Sequence, residues 1–350
     1  MMTDLDYKAI LNGACASALL VVAIYLGSGR LKDFDPALIA YTSAVVFATF
    51  GIVYRYSVWL QKPPTRLYWR RGWQLFLRPT RLPRNLLTLG GVFWRNMVVQ
   101  TFIERRSHAR WLAHFLLSWG CIVAVAVTFP LVFGWVHFEA DPHNPIAYRA
   151  FLFGIHAGTF PAASVVGWMT FHVLDFCAVA VILGMVLAMR RRMVDRGAMT
   201  VQQFSMDFLP LILLFAVSMT GLMLTVSSLW LRGYSYSFIA LIHAFSVIVT
   251  LLYLPFGKFF HVFQRPANLG VYFYKLEGAD GCQAACIRCG SSFGSEMHVN
   301  DLKTVLAELG MDYTFDDGTH YHDVCPACKR RLMATSQLER LESVGGTGFV

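Results

Sequence analysis

Long apolar runs alternate with shorter polar connections through the first three quarters of the chain. Six of these runs, near residues 7–27, 37–60, 111–135, 162–189, 206–230 and 237–260, are long enough to cross about 30 Å of hydrocarbon as helices. The pattern predicts an all-α integral membrane bundle of six transmembrane helices. From about residue 266 the composition turns polar, so residues 266–350 read as a small separate module. Residues 61–107, between the second and third runs, mix Arg and Trp with apolar residues and are broken by Pro79 and Pro83. That mixture predicts helices lying in a membrane interface rather than across it, within a membrane domain spanning residues 1–265.

Composition supports this reading. The chain is 56% hydrophobic and only 15% charged, against roughly 45–50% and about 25% in soluble domains. The net charge of +9 is concentrated in residues 61–107 and in "RRRMVDR" after the fourth run. Lys and Arg gather on the cytoplasmic side of membrane proteins, so both segments, and with six spans both termini, are expected to be cytoplasmic. The loop "HFEADPHNP" after the third run carries acids and no Lys or Arg, as a segment on the far side would. The basicity therefore reports topology, and a nucleic-acid partner is not expected. The first run follows the acidic start "MMTDLDYK" and is expected to be kept as a span rather than cleaved.

Histidines carry the candidate chemistry inside the bundle. His243 and His261 bracket the sixth run, and eighteen residues of uninterrupted helix make about five whole turns. Both side chains would then leave one face, at two membrane depths roughly 27 Å apart. Polar groups within a bilayer normally point into the bundle, toward a partner or a metal. Haem iron held by two imidazoles needs a second histidine at matching depth. For His261 that partner is expected to be His114 in "RSHARWLAHFLLSWG"; for His243 it is His172 in "GWMTFHVLDFCAV", with His156 as its rival. Arg105, Arg106, Arg110 and Lys258 stand where they could neutralise haem propionates, although the positive-inside rule alone accounts for each. Asp175 lies three residues from His172, placed to orient that imidazole or to carry protons for a quinone. His156, His143 and Arg149 complete the polar groups expected near an outer quinone site. Pro255 is expected to bend the sixth helix.

The stretch "HAFSVIVTLLYLPFGKFFHVFQRPAN", together with "RRSHARWLAHFLLSWGC" and "FSMDFLPLILLFAVSMTGLM", resembles the respiratory nitrate reductase gamma-subunit family, which includes the cytochrome b membrane subunits of heterodisulfide reductases. The resemblance covers roughly residues 95–268. It implies two b-type haems stacked across a prokaryotic cytoplasmic membrane, exchanging electrons between the quinone pool and a cytoplasmic iron–sulfur or flavin oxidoreductase subunit. Carried over, His114 and His261 hold the inner haem and His243 one side of the outer haem. The chain departs from the nitrate reductase pattern at Ala124, where a second histidine of the third span would be expected.

Cysteines divide the chain again. Cys15, Cys121 and Cys177 lie singly in apolar runs, where thiols behave as small hydrophobes, whereas five cysteines crowd into the tail. "CQAACIRCG" and "CPACK" supply two C-x-x-C knuckles, Cys286/Cys289 and Cys325/Cys328, and paired knuckles are a strong metal signal. The gap between them contains "VNDLKTVLAELG", which predicts an amphipathic helical insertion. Structural zinc, a single rubredoxin-like iron and an iron–sulfur cluster recruiting Cys282 all fit these residues. His298, His320 and His322 are candidates to replace a thiolate.

The function expected from the sequence is that of a quinone-reactive cytochrome b subunit in a respiratory oxidoreductase. The competing expectation is a haem-free membrane adaptor or transporter with a structural zinc ribbon.

Overall fold

The computed structural model describes residues 4–194, 197 and 202–343. Helices α1 (Asp4–Gly27), α2 (Ile39–Gln61), α3 (Pro63–Phe76), α4 (Leu82–Phe93), α5 (Thr101–Glu104), α6 (His108–Val132) and α7 (Val165–Val194) lead to α8 (Leu209–Leu229) and α9 (Tyr236–Tyr253). Then come α10 (His261–Gln264), α11 (Asn268–Asp280), α12 (Glu296–Glu308) and α13 (Pro326–Ser343). Six of them, α1, α2, α6, α7, α8 and α9, are long and apolar enough to cross a membrane.

The sixth is shorter than the hydropathy pattern predicts. Pro255 has no N–H to continue the ladder, and α9 stops at Tyr253 in a turn closed by the N–H groups of Phe256 and Gly257 on the Tyr253 carbonyl. A 3-10 turn over Lys258–Phe260 follows, and only then α10. His243 and His261 therefore do not share one continuous helix, and the whole-turn argument for a common face fails. His261 is aimed by the turn that precedes it.

One contact unit comprises residues 1–58 and 90–265. Spans α6 and α7 pack closely because glycines sit at their crossing. A Cβ on Gly120 would lie 2.7 Å from the Val181 side chain, and one on Gly184 would lie 2.8 Å from the Ala113 carbonyl. Small residues permit this approach, which drives association where lipid tails remove the hydrophobic incentive. A buried cluster of Ile24, Ala44, Val45, Val132, Phe133, Val247 and Leu251 joins α1, α2, α6 and α9. Helix α8 packs against both α7 and α9.

Between α6 and α7 the chain builds an antiparallel meander of β1 (Val136–Asp141), β2 (Asn144–Leu152) and β3 (Ile155–Pro161). This segment, expected to be a loop, is a three-stranded sheet, so the fold is mostly helical rather than all-α. Its signal is a two-residue hairpin turn at Phe153 and Gly154, both with positive φ (50° and 76°), between apolar-rich arms.

The second unit joins residues 59–89 to residues 266–350. The segment expected to be one interfacial stretch, 61–107, is thus divided between the two units. Helix α3 meets α11 where Gly72 faces Gly270, and a Cβ at Gly72 would stand 3.0 Å from the Gly270 Cα. Leu75, Phe273 and Tyr274 form the buried core there. Arg71 on α3 grips Asp301 on α12 through both carboxylate oxygens (2.8 and 3.2 Å), and the Tyr274 hydroxyl on α11 donates to the same carboxylate at 2.9 Å. The hairpin β4 (Gln283–Ala285) and β5 (Ser292–Ser295) carries the first cysteine knuckle.

Candidate functional site

Ser107 caps α6, its hydroxyl accepting from the Arg110 N–H, and the next turns present Trp111, His114, Ser118 and Trp119 at helical spacing. This face grips the end of a π-helical turn, Trp94–Val98, and the residue that caps it. The Trp119 indole donates to the Val98 carbonyl (3.0 Å) and the Trp111 indole to the Val99 carbonyl (2.7 Å). The adjoining Gln100 is buried, at 4% exposure, and its φ of 60° is left-handed. Its amide nitrogen donates to Ser118 Oγ (2.7 Å) and its oxygen faces His114 Nδ1 (2.7 Å).

His261 approaches from the other end of the chain. Its Nδ1 lies 2.5 Å from the Lys258 carbonyl. Arg55 on α2 holds the preceding turn: its guanidinium donates to the carbonyls of Pro255 (2.6 Å) and Phe256 (3.0 Å) and lies 4.4 Å from the centre of the Phe260 ring. Together these contacts bring His114 and His261 beside one another, with ring centroids 6.4 Å apart and planes inclined at 63°. Two imidazoles on opposite sides of one metal ion, with bonds of about 2.0 Å, have centroids roughly 6 Å apart.

The hydrogen bonds also fix tautomers. A carbonyl oxygen can only accept, so His261 carries its proton on Nδ1. Ser118 spends its hydroxyl proton on the Phe115 carbonyl and therefore accepts from Gln100, which leaves the Gln100 oxygen to accept from His114 Nδ1–H. Both rings thus keep a free lone pair on Nε2, and a metal-bound histidine normally has its other ring nitrogen donating in this way.

The histidines on the other long apolar helices are oriented by the same means but are not brought together. His172 Nδ1 meets Asp175 Oδ2 at 2.9 Å, and Thr225 on α8 donates to the other oxygen of that carboxylate at 2.7 Å. His243 Nδ1 faces Thr220 Oγ1 at 2.9 Å, and Thr220 gives its own proton to the Ala216 carbonyl. Thr220 and Thr225 stand about 140° apart around α8, so His243 and the His172–Asp175 pair reach that helix from different sides. Among the described residues no imidazole packs against His243. Beside it lies Gly221, where a Cβ would approach the ring to 3.4 Å.

Of the groups expected near haem propionates, Arg105, Arg106 and Arg110 are exposed, while Lys258 is committed to Asp207 at 2.6 Å. The far-side candidates are split. Arg149 and His156 both lie against the Phe151 ring, at 5.3 and 5.6 Å, and His137 stacks on it at 4.9 Å. His143 sits in the turn at the opposite end of β1 and β2. Gln100, Arg55, Ser118, Thr220 and Thr225 were not singled out from sequence; a lone Gln in "MVVQTF" and the spacing of Trp111, His114, Ser118 and Trp119 were the available signals.

In the second unit the four knuckle cysteines converge. Their sulfur atoms all lie within 4.8 Å of one another, and the group could hold a metal ion. Cys289 and Cys325 are 3.7 Å apart, which matches the roughly 3.8 Å edge of a tetrahedron with 2.3 Å metal–sulfur bonds. The backbone N–H of Cys325 points at Cys286 Sγ (3.2 Å) and holds that thiol down to about 6, while a hydrogen bond with Cys325 pushes the Cys328 thiol up to about 12. Val324, Phe293, Phe315 and Leu332 pack around the sulfurs. Cys282 is exposed and stands outside the group, and no histidine joins it among the described residues. His320 and His322 stack on each other, and His298 packs on Tyr274. The helix expected across the gap is α12. Comparison of the chain with family models, curated proteins and solved structures gives no match.

Proposed function

We propose that this protein is a membrane cytochrome b that passes electrons between the quinone pool and a cytoplasmic iron–sulfur or flavin oxidoreductase partner, in a prokaryotic cytoplasmic membrane with both termini inside. One observation carries the reading: two imidazoles from distant parts of the chain lie beside each other at 6.4 Å, each with Nδ1–H already given to an oxygen. Such a pair of imidazoles suits a b haem, whose iron His114 and His261 would hold. When bound, haem iron supplies one-electron exchange without acid or base chemistry from its ligands.

The chain's own residues hold the ligands in place: Gln100 and the Lys258 carbonyl fix the ring orientations, and Arg55 fixes the turn. The site at His243 is less complete because among the described residues no imidazole packs against it, its expected partner His172 and the bonded Asp175 reaching α8 from another side. The proposal is accordingly for one bis-imidazole haem, not the two implied by resemblance. Arg149 and His156, gathered at Phe151, are the pair proposed for contact with quinone. The cysteine module is proposed to hold one zinc ion in a structural role. The spacing of its sulfurs suits a single ion, and they form the core of the module.

The test is reduction of the purified, haem-loaded protein in proteoliposomes by a quinol. Rapid appearance of the reduced b spectrum is expected, slowed by Arg149→Ala and His156→Ala. Haem that a quinol cannot reduce at any ratio would overturn the quinone role. A protein that purifies with zinc and without haem would favour the adaptor reading.

A further inference from the structure

We infer that Gln100 is a positioning residue that sets the tautomer and electron density of His114, and through them the reduction potential of the inner haem. This rests on the proposal that His114 and His261 hold that haem.

Three features of Gln100 converge on this role. Its backbone stands at φ 60°, ψ 39°, a left-handed conformation that costs a non-glycine residue on the order of 1 kcal/mol or more. A glycine would sit there without strain, so something in the side chain compensates. The side chain is buried, and burying a primary amide is costly unless its groups are paired. Both ends are paired: the nitrogen donates to Ser118 and the oxygen accepts from His114. The polarity of the chain is fixed at its far end, because Ser118 gives its proton to the Phe115 carbonyl. Reversing the amide would set its N–H against the only nitrogen that His114 can protonate without losing Nε2. The amide thus acts as a one-way connector. It holds the His114 proton on Nδ1 and leaves Nε2 unprotonated.

An acceptor on Nδ1–H makes an imidazole a stronger electron donor, and a stronger donor favours ferric over ferrous iron. Gln100 is therefore expected to keep the inner potential lower than an unsupported histidine would.

The substitutions Gln100→Glu and Gln100→Gly separate this role from a purely structural one. Glycine relieves the left-handed backbone and removes the acceptor; glutamate keeps the acceptor and strengthens it with charge. In the full-length protein, redox titration of the haem is expected to show the potential rising in Gln100→Gly and falling in Gln100→Glu, with the low-spin ferric signal altered in both. Equal potentials and identical signals in wild type and both variants would overturn the inference. A wild-type protein without haem would instead overturn the functional reading. In that case nitrogen-15 NMR of the labelled histidines still decides: the His114 proton is expected on Nδ1 in wild type and redistributed to Nε2 in Gln100→Gly, and an unchanged tautomer would refute the role assigned to Gln100.

Discussion

His114 and His261 lie together with ring centroids 6.4 Å apart, and each engages a protein oxygen through Nδ1, that of the Gln100 amide and that of the Lys258 carbonyl. The pair is assembled from two irregular elements. One is the strip of backbone at Val98–Gln100 tied to α6, and the other is the Pro255–Phe260 turn tied to α2. A regular helix brings neither.

Arg55 is expected to matter most to the second element. It donates to the carbonyls of Pro255 and Phe256, which no helix hydrogen bond serves, and Pro255 is fully buried against Gly51. Arg55→Leu strands those carbonyls and should cost about 1–3 kcal/mol. Thermal unfolding in detergent should show the loss, with haem retained less well than in wild type; a variant with unchanged stability and haem content would show that the turn holds itself.

The six spans were legible because a bilayer demands about twenty apolar residues per helix, a signal that averages over many positions. The meander was not, because strand signals are short and its arms mix aromatic with polar residues. The error at the sixth span has a definite cause: hydropathy counts Leu254, Phe256, Phe259 and Phe260 as helix-like, whereas Pro255 ends the ladder. His114 and His261 were legible as polar residues in costly positions. What orients them was not: Arg55 acts on its turn from 200 residues away, and Gln100, though only 14 residues before His114, is brought to it by a left-handed backbone that no periodic pattern announces. The cysteine knuckles were legible because a tight turn presents both thiolates and the spacing itself is the signal.

The Arg71–Asp301–Tyr274 network should govern the second unit, because it ties α3 to α11 and α12. Asp301 is 5% exposed, so Asp301→Ala leaves the Tyr274 hydroxyl and one face of Arg71 without a partner. A loss of about 1–3 kcal/mol is expected, against about 1 kcal/mol for Tyr274→Phe. Limited proteolysis of the full chain should cut residues 59–89 and 266–343 faster in that order; equal rates in all three proteins would contradict the assignment.

Acid should weaken the same unit through His298. Burial against Tyr274 holds this imidazole below its ordinary value, opposed by Asp301 and aided by Lys275. The folded state therefore favours the neutral ring. Its contribution is complete above the unfolded pKa of about 6.5 and is lost as pH falls from there through the folded value. His298→Gln should flatten the decline in protease resistance between neutral and mildly acid pH; an unchanged slope would assign the decline to other groups.

Removing the metal should unmake the core around Val324, Cys286, Cys325 and Cys328, since the sulfurs are part of that core. Metal analysis of the purified protein is expected to give one zinc per chain, lost in Cys286→Ser with Cys325→Ser. Cys282→Ser should keep it. Stoichiometric iron with acid-labile sulfide would contradict the single-ion reading.

The central claim is that His114 and His261 hold a b haem, and its most direct measurement is haem content with the reduced-minus-oxidised spectrum of protein purified from haem-replete cells. One b haem per chain is expected, absent in His114→Ala and in His261→Ala, and present in His172→Ala. A wild-type protein without b-type bands, or bands that persist unchanged in the two alanine variants, would contradict it.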